Sequence, residues 1–163
     1  MDEELLEKAA RFAELRGLTL RQPLGDGIHG IVFAAECQAN RGRLAIKVHS
    51  DAAAFARECM VYRRLAELGV TEILGFNVPQ FLGADKDLLV IEMTIVTRPF
   101  VLDFASAYVD DPPQFPPDVL THWEEEKREQ FGAKWQTVLR ILAALRGHGI
   151  HQTDVTPANI GFR

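Results

Sequence analysis

Three glycines stand in a GxGxxG spacing within Leu24-Gly25-Asp26-Gly27-Ile28-His29-Gly30-Ile31-Val32. Glycines so placed let backbone N–H groups approach phosphate oxygens with no side chain in the way. Two arrangements use this spacing: in one a helix opens after the last glycine, in the other the loop is a β-hairpin. Here Ile31-Val32-Phe33-Ala34 follows, which is β-branched and aromatic. Asp51 stands about 20 residues beyond the loop, where a ribose-binding acid would belong, but no helical segment separates the two. The hairpin is the expected form. Downstream, Lys47 interrupts the apolar run Leu44-Ala45-Ile46-Lys47-Val48, and an ammonium there is costly unless a charge or a phosphate meets it. Phe55, Cys59, Tyr62 and Ala66 then recur at helical spacing with Glu58 on the same face, while Arg57 and Arg64 point roughly the other way. A Lys47–Glu58 ion pair is expected. The plainer alternative is a carboxylate at the edge of the stripe reaching water.

The elements that must position these residues follow from periodicity. Asp2 to Arg16 carries Leu5, Ala9, Phe12 and Ala13 at helical spacing, begins with acids that suit a helix N-terminus and stops at Gly17. Residues 18–49 read as three strands joined by two tight turns, and Asp51 to Leu68 as a helix ended by Gly69. Gln80 to Leu82 and Leu88 to Met93 read as two further strands around Ala84-Asp85-Lys86-Asp87. The count is five strands with one inserted helix, an α+β fold. Between Asp110 and Pro117, four prolines and two adjacent acids form a loop that cannot continue a helix, the expected boundary between two lobes. Beyond it, Val119 to Gln130 reads as a charged, solvated helix. Trp135, Val138, Ile141, Leu142 and Leu145 form the apolar stripe of another, ending at Gly147.

Composition narrows the function classes. A chain of 163 residues, 47% hydrophobic and 25% charged, is long enough for one compact core and unlike a disordered segment. Its 18 basic against 23 acidic residues argue against nucleic acid or an anionic membrane as partner. Cys37 and Cys59 form no CxxC pair, and no apolar run approaches the roughly 18 residues that would span a bilayer. A cytoplasmic location is expected, since the N-terminus also lacks a basic stretch followed by an apolar one.

Taken together, these motifs resemble the protein kinase fold. The glycine-rich loop with Val32 two residues after Gly30, Leu44-Ala45-Ile46-Lys47, and Glu58 in the next helix fall in that family's order. His151-Gln152-Thr153-Asp154-Val155-Thr156-Pro157-Ala158-Asn159-Ile160 resembles its catalytic loop, with Asn159 five residues after Asp154. The resemblance implies a leading helix (1–17), a nucleotide-binding sheet and helix (18–98), and a hinge exit with a small helical partial second lobe (99–163). It implies that Gly25, Gly27 and Gly30 cover the phosphates of ATP, that Lys47 holds the α and β phosphates and that Glu58 fixes Lys47. Val32 and Ala45 would roof the adenine, Ile91 would be the gatekeeper, and Glu92 to Thr94 would bind the base through their backbone. Asp154 would orient or deprotonate the acceptor hydroxyl, and Asn159, with Asp154, would hold Mg2+.

Departures from the family carry expectations too. Gln152 and Thr153 replace the histidine and arginine before the aspartate, leaving His151 one place early, which argues against control by a phosphorylated activation loop. Thr156 stands where a lysine is common. The chain stops at Arg163, four residues past Asn159, and no Asp-Phe-Gly follows. The loss of that magnesium-binding acid implies phosphoryl transfer to a protein hydroxyl that is weak or completed by a partner. Two alternatives stay open: a catalytically dead interaction module whose uncovered cleft floor binds a protein or a second copy, and a small-molecule phosphotransferase resembling antibiotic and choline kinases. His148, His151 and Asp154 recur every three residues as a weaker metal candidate, but Gly147 and Gly149 interrupt the helix that would align them.

Overall fold

The structure, a computed structural model, describes residues 2–163. Helix α1 (Glu3–Arg16) starts where the Asp2 carboxylate accepts from the N–H groups of Glu4 and Leu5, and ends at Gly17 in the left-handed conformation. Strands β1 (Leu18–Gly27), β2 (Gly30–Cys37) and β3 (Arg43–His49) follow as an antiparallel meander. Helix α2 (Ala52–Glu67) is capped by Asp51, whose carboxylate accepts from Ala53 and Ala54 N–H. Two-residue strands β4 (Glu72–Ile73) and β5 (Phe76–Asn77) lead to β6 (Phe81–Asp85) and β7 (Val90–Met93). The resulting sheet runs β1-β2-β3-β7-β6, antiparallel throughout, which is the five-stranded sheet with inserted helix expected above.

Strand alternation divides this sheet into two working faces. Leu44, Ile46 and Val48 of β3 join Leu5, Ala9 and Phe12 of α1 in one core. Ala45 of β3 and Ile91 and Met93 of β7 join Phe55, Cys59 and Tyr62 of α2 in the other. Fully burying side chains of this size stabilises by about 1.5–3 kcal/mol each, so α1 is a structural cover and the α2 face is left for chemistry. The α2-side core is continuous with Trp135, Val138, Ile141 and Leu145 below, so both lobes share it.

The second half of the chain adds β8 (Phe100–Val101), a 3-10 turn at Phe104–Ser106, β9 (Ala107–Val109), α3 (Pro117–Phe131), α4 (Trp135–Gly147), β10 (Ile150–Gln152) and β11 (Ile160–Gly161). Here the structure departs from the expected boundary. Strand β9 pairs with β10, and β8 pairs with β11 on one side and with β5 on the other, so residues 100–109 join the lower lobe with β8 at its seam to the upper one. The Pro-rich loop at 110–117 is internal to that lobe. These strands have two or three residues, too few for a period-2 pattern to register. Helix α3 is also less solvated than its charge suggests: Lys127 and Phe131 are buried, with Phe131 stacked on Trp135. Among the described residues, no helix is long and apolar enough to cross a membrane.

The glycines of the β1–β2 hairpin do different jobs. Gly25 and Gly27 face open space, whereas a Cβ on Gly30 would collide with the Val48 carbonyl across the β2–β3 pair. Gly30→Ala should therefore lower the thermal midpoint by several degrees without any ligand, a cost on the order of 1–3 kcal/mol. Gly27→Ala should stay close to wild type in the same melt.

Candidate functional site

Lys47 sits mid-strand with Val32 opposite it on β2 and Ile91 opposite it on β7. Its side chain is 7% exposed, and Nζ lies 3.1 Å from Glu58 Oε1 and 3.0 Å from Oε2. The expected ion pair is present. Glu58 is fully buried on the α2 stripe. A second acid completes the environment: Lys47 Nζ donates to Asp103 Oδ1 at 2.8 Å. Burial works against the lysine's charge, but the carboxylates of Glu58 and Asp103 outweigh it and hold Lys47 above the ordinary lysine range. Burial likewise works against the Asp103 carboxylate, and the charge and hydrogen bond of Lys47 overcome it and hold Asp103 below the ordinary aspartate range.

Asp103 is positioned by the lower lobe. It adopts a left-handed conformation (φ 59°, ψ 74°) and caps the 3-10 turn through Ala105 N–H. Phe104 beside it is fully buried and meets the Tyr62 ring edge-on at 5.5 Å. Gln152 Nε2 donates to the Asp103 carbonyl at 3.0 Å, and Leu102 N–H donates to the Asn159 carbonyl at 2.6 Å. Asn159 Nδ2 in turn donates to Asp154 Oδ2 at 2.9 Å and to the Asp154 carbonyl at 3.1 Å. Two groups singled out in the sequence, Lys47 with Glu58 and Asp154 with Asn159, are thus joined through Asp103.

Asp103 was not among the residues expected from the sequence: an Asp-Phe-Gly would have followed Asn159, whereas Leu102-Asp103-Phe104-Ala105 precedes residues 151–160 in the chain and meets them in space. The signal was two apolar residues, an acid and a buried phenylalanine. His49 was missed as well: it is fully buried, with Nε2 2.6 Å from Glu58 Oε2. The hairpin tip reaches down to the same segment, His29 Nε2 lying 3.1 Å from Ser106 Oγ, while Ile28 next to it is 93% exposed.

The remaining expected site residues fall as follows. Ala45, Ile91 and Val32 line the α2-side face near Lys47. Glu92 lies on the opposite face, where Arg16 Nε donates to its Oε2 at 3.0 Å, so it brings no side chain to this site. Thr94 N–H donates to the Gln80 carbonyl and its Oγ1 accepts from Gln80 N–H, so that donor is already used within the upper lobe. Arg57 and Arg64, expected to point roughly away from the apolar stripe, hold α2 against β9 and the residues beside it. Arg64 forks onto Asp110 at 2.9 and 2.7 Å and also donates to the His148 carbonyl, and the Arg57 guanidinium lies 5.5 Å above the Tyr108 ring. Among the described residues no group of three or more His, Cys, Asp or Glu side chains is placed to hold a metal, the His148-His151-Asp154 trio included.

The Lys47–Asp103 pair links stability to pH at both ends. Asp103 has a depressed folded pKa, so its contribution is complete above the unfolded aspartate value, about 4, and is lost as pH falls through the lower folded one. Lys47 has a raised folded pKa, so its contribution is complete below about 10.5 and is lost as pH rises through the higher folded value. Thermal midpoints measured across pH should therefore show Asp103→Asn with a flatter acid limb and an earlier alkaline decline than wild type. Superimposable curves would mean the pair is not formed in solution.

No protein-family model and no curated protein matches this chain.

Proposed function

We propose that this chain is a protein kinase-like phosphotransferase that takes ATP with Mg2+ beneath the β1–β2 hairpin and passes the γ-phosphoryl group to a hydroxyl. The observation that carries the reading is one buried ammonium, Lys47, held by an acid from α2 and an acid from the lower lobe, under a glycine-rich hairpin. Charge buried on this scale has to be met, and an arrangement of donors fixed before the reaction suits the spreading charge of a transferring phosphoryl group.

On this reading Lys47 leaves Asp103 for phosphate oxygens while Glu58 keeps hold of it. Gly25 and Gly27, with open space above them, let the hairpin backbone close on the triphosphate. Admission of the nucleotide requires the His29–Ser106 contact to open. Asp103, whose side chain is 37% exposed, and Asn159 offer oxygens of the hard kind that magnesium takes, and the Leu102 N–H on the Asn159 carbonyl ties their two segments together. These two residues would hold the ion, which supplies charge neutralisation at the phosphates. Asp154, braced by Asn159, accepts or orients the proton of the acceptor hydroxyl.

Thermal-shift titration tests this. ATP with Mg2+ at about 100 times its dissociation constant should add roughly 2.7 kcal/mol, a shift of several degrees. Lys47→Ala should abolish the shift, and Asp103→Asn should remove its dependence on Mg2+. No shift of the wild type at millimolar ATP would overturn the reading and leave a scaffold for partners.

A further inference from the structure

Proton counting around Glu58 identifies a further residue of the site. The Leu89 carbonyl accepts from His49 twice, from its backbone N–H at 2.9 Å and from Nδ1 at 3.2 Å. A carbonyl can only accept, so Nδ1 carries a hydrogen. The other ring nitrogen, Nε2, faces Glu58 Oε2 at 2.6 Å, a separation that requires a proton between them. Glu58 also accepts from the Lys47 ammonium through both of its oxygens, which keeps it a carboxylate and puts the shared proton on the ring. The Phe55 ring meets the imidazole edge-on at 5.6 Å.

We infer that His49 is a doubly protonated positioning residue of the proposed nucleotide site, meeting the charge of Glu58 so that Lys47 can give its own charge to a phosphate. The inference rests on that reading for its consequence but not for its protonation state. The groups facing this pair are Lys47 from β3, Cys59 and Tyr62 from α2, Asp103 from the lower lobe and, beyond Asp103, His29 from the hairpin tip. The Tyr62 hydroxyl, pushed up by burial and by the charge of Glu58, stays neutral. Two cations, Lys47 and His49, then balance two anions, Glu58 and Asp103. When Asp103 turns to a divalent ion, one uncompensated positive charge remains facing the phosphates. With a neutral His49 none would remain, because Glu58 would cancel Lys47. Glu58 can therefore aim the lysine without spending its charge.

Imidazole nitrogen chemical shifts in the 15N-labelled full chain read the protonation state directly. Both His49 nitrogens should report bound hydrogen across neutral pH; a pyridine-like shift at either one overturns the inference, whether or not ATP binds. Binding supplies the second readout. His49→Gln keeps hydrogen bonding but loses the charge, and should weaken ATP affinity on the order of tenfold to a hundredfold. A His49→Gln variant that is folded by circular dichroism and binds ATP as tightly as wild type assigns His49 a packing role only and overturns the inference. Wild type that shows the imidazolium but no ATP binding would sink the nucleotide reading and leave the protonation state standing.

Discussion

An ammonium group nearly shut off from water beneath a β-sheet must be met by charge, and much of this chain is arranged around that requirement. Lys47 is placed by β3, Glu58 by α2 and Asp103 by a left-handed residue of the lower lobe. Removing one partner from such a cluster leaves a buried charge unpaired, which costs far more than the pair itself contributes. The cluster therefore acts less as a source of stability than as a specification: only one mutual placement of sheet, helix and lower lobe satisfies it.

The packing supports that placement from both sides of the sheet. Helix α1 seals the face carrying Leu44, Ile46 and Val48, so alternation along β3 delivers Lys47 and His49 to the α2 face. Helix α2 is then fixed against the lower lobe by Arg64 on Asp110 and the His148 carbonyl and by Arg57 over Tyr108. Gly149 stands at this clamp with φ 77°, where any Cβ would collide with Asp110 and Arg64. The position of Glu58 is thus determined by contacts at both ends of its helix and by a core shared between the lobes.

Legibility of the fold and site followed the range of the forces involved. Both long helices of the first half were readable because their caps, Asp2 with Gly17 and Asp51, sit in sequence beside the periodic residues they terminate. Lys47 and Glu58 were readable as an apolar-strand lysine and an apolar-stripe acid. Thr94 was assigned to a base-binding edge from its place after an apolar strand, yet its donor is committed to Gln80, a pairing set by strand register and not by residue type. Arg57 and Arg64 were readable as lying off the apolar stripe, but the helix period says where a face is, not what packs on it.

The sequence by itself determined the antiparallel sheet with its inserted helix, the glycine hairpin and the identity of the two charges that had to meet. All of these depend on neighbours within a few residues, or on an imbalance in one strand that demands a partner. Tertiary structure alone decided that Asp103 is a second carboxylate on Lys47, that His49 meets Glu58, and that β8 lies between β11 and β5. The placement of Asp103 comes with the pairings between β8 and β11 and between β9 and β10, strands of two or three residues that lie far apart in the chain. Such contacts are selected by loop closure and shared burial, and they leave no periodic trace in the residues that make them.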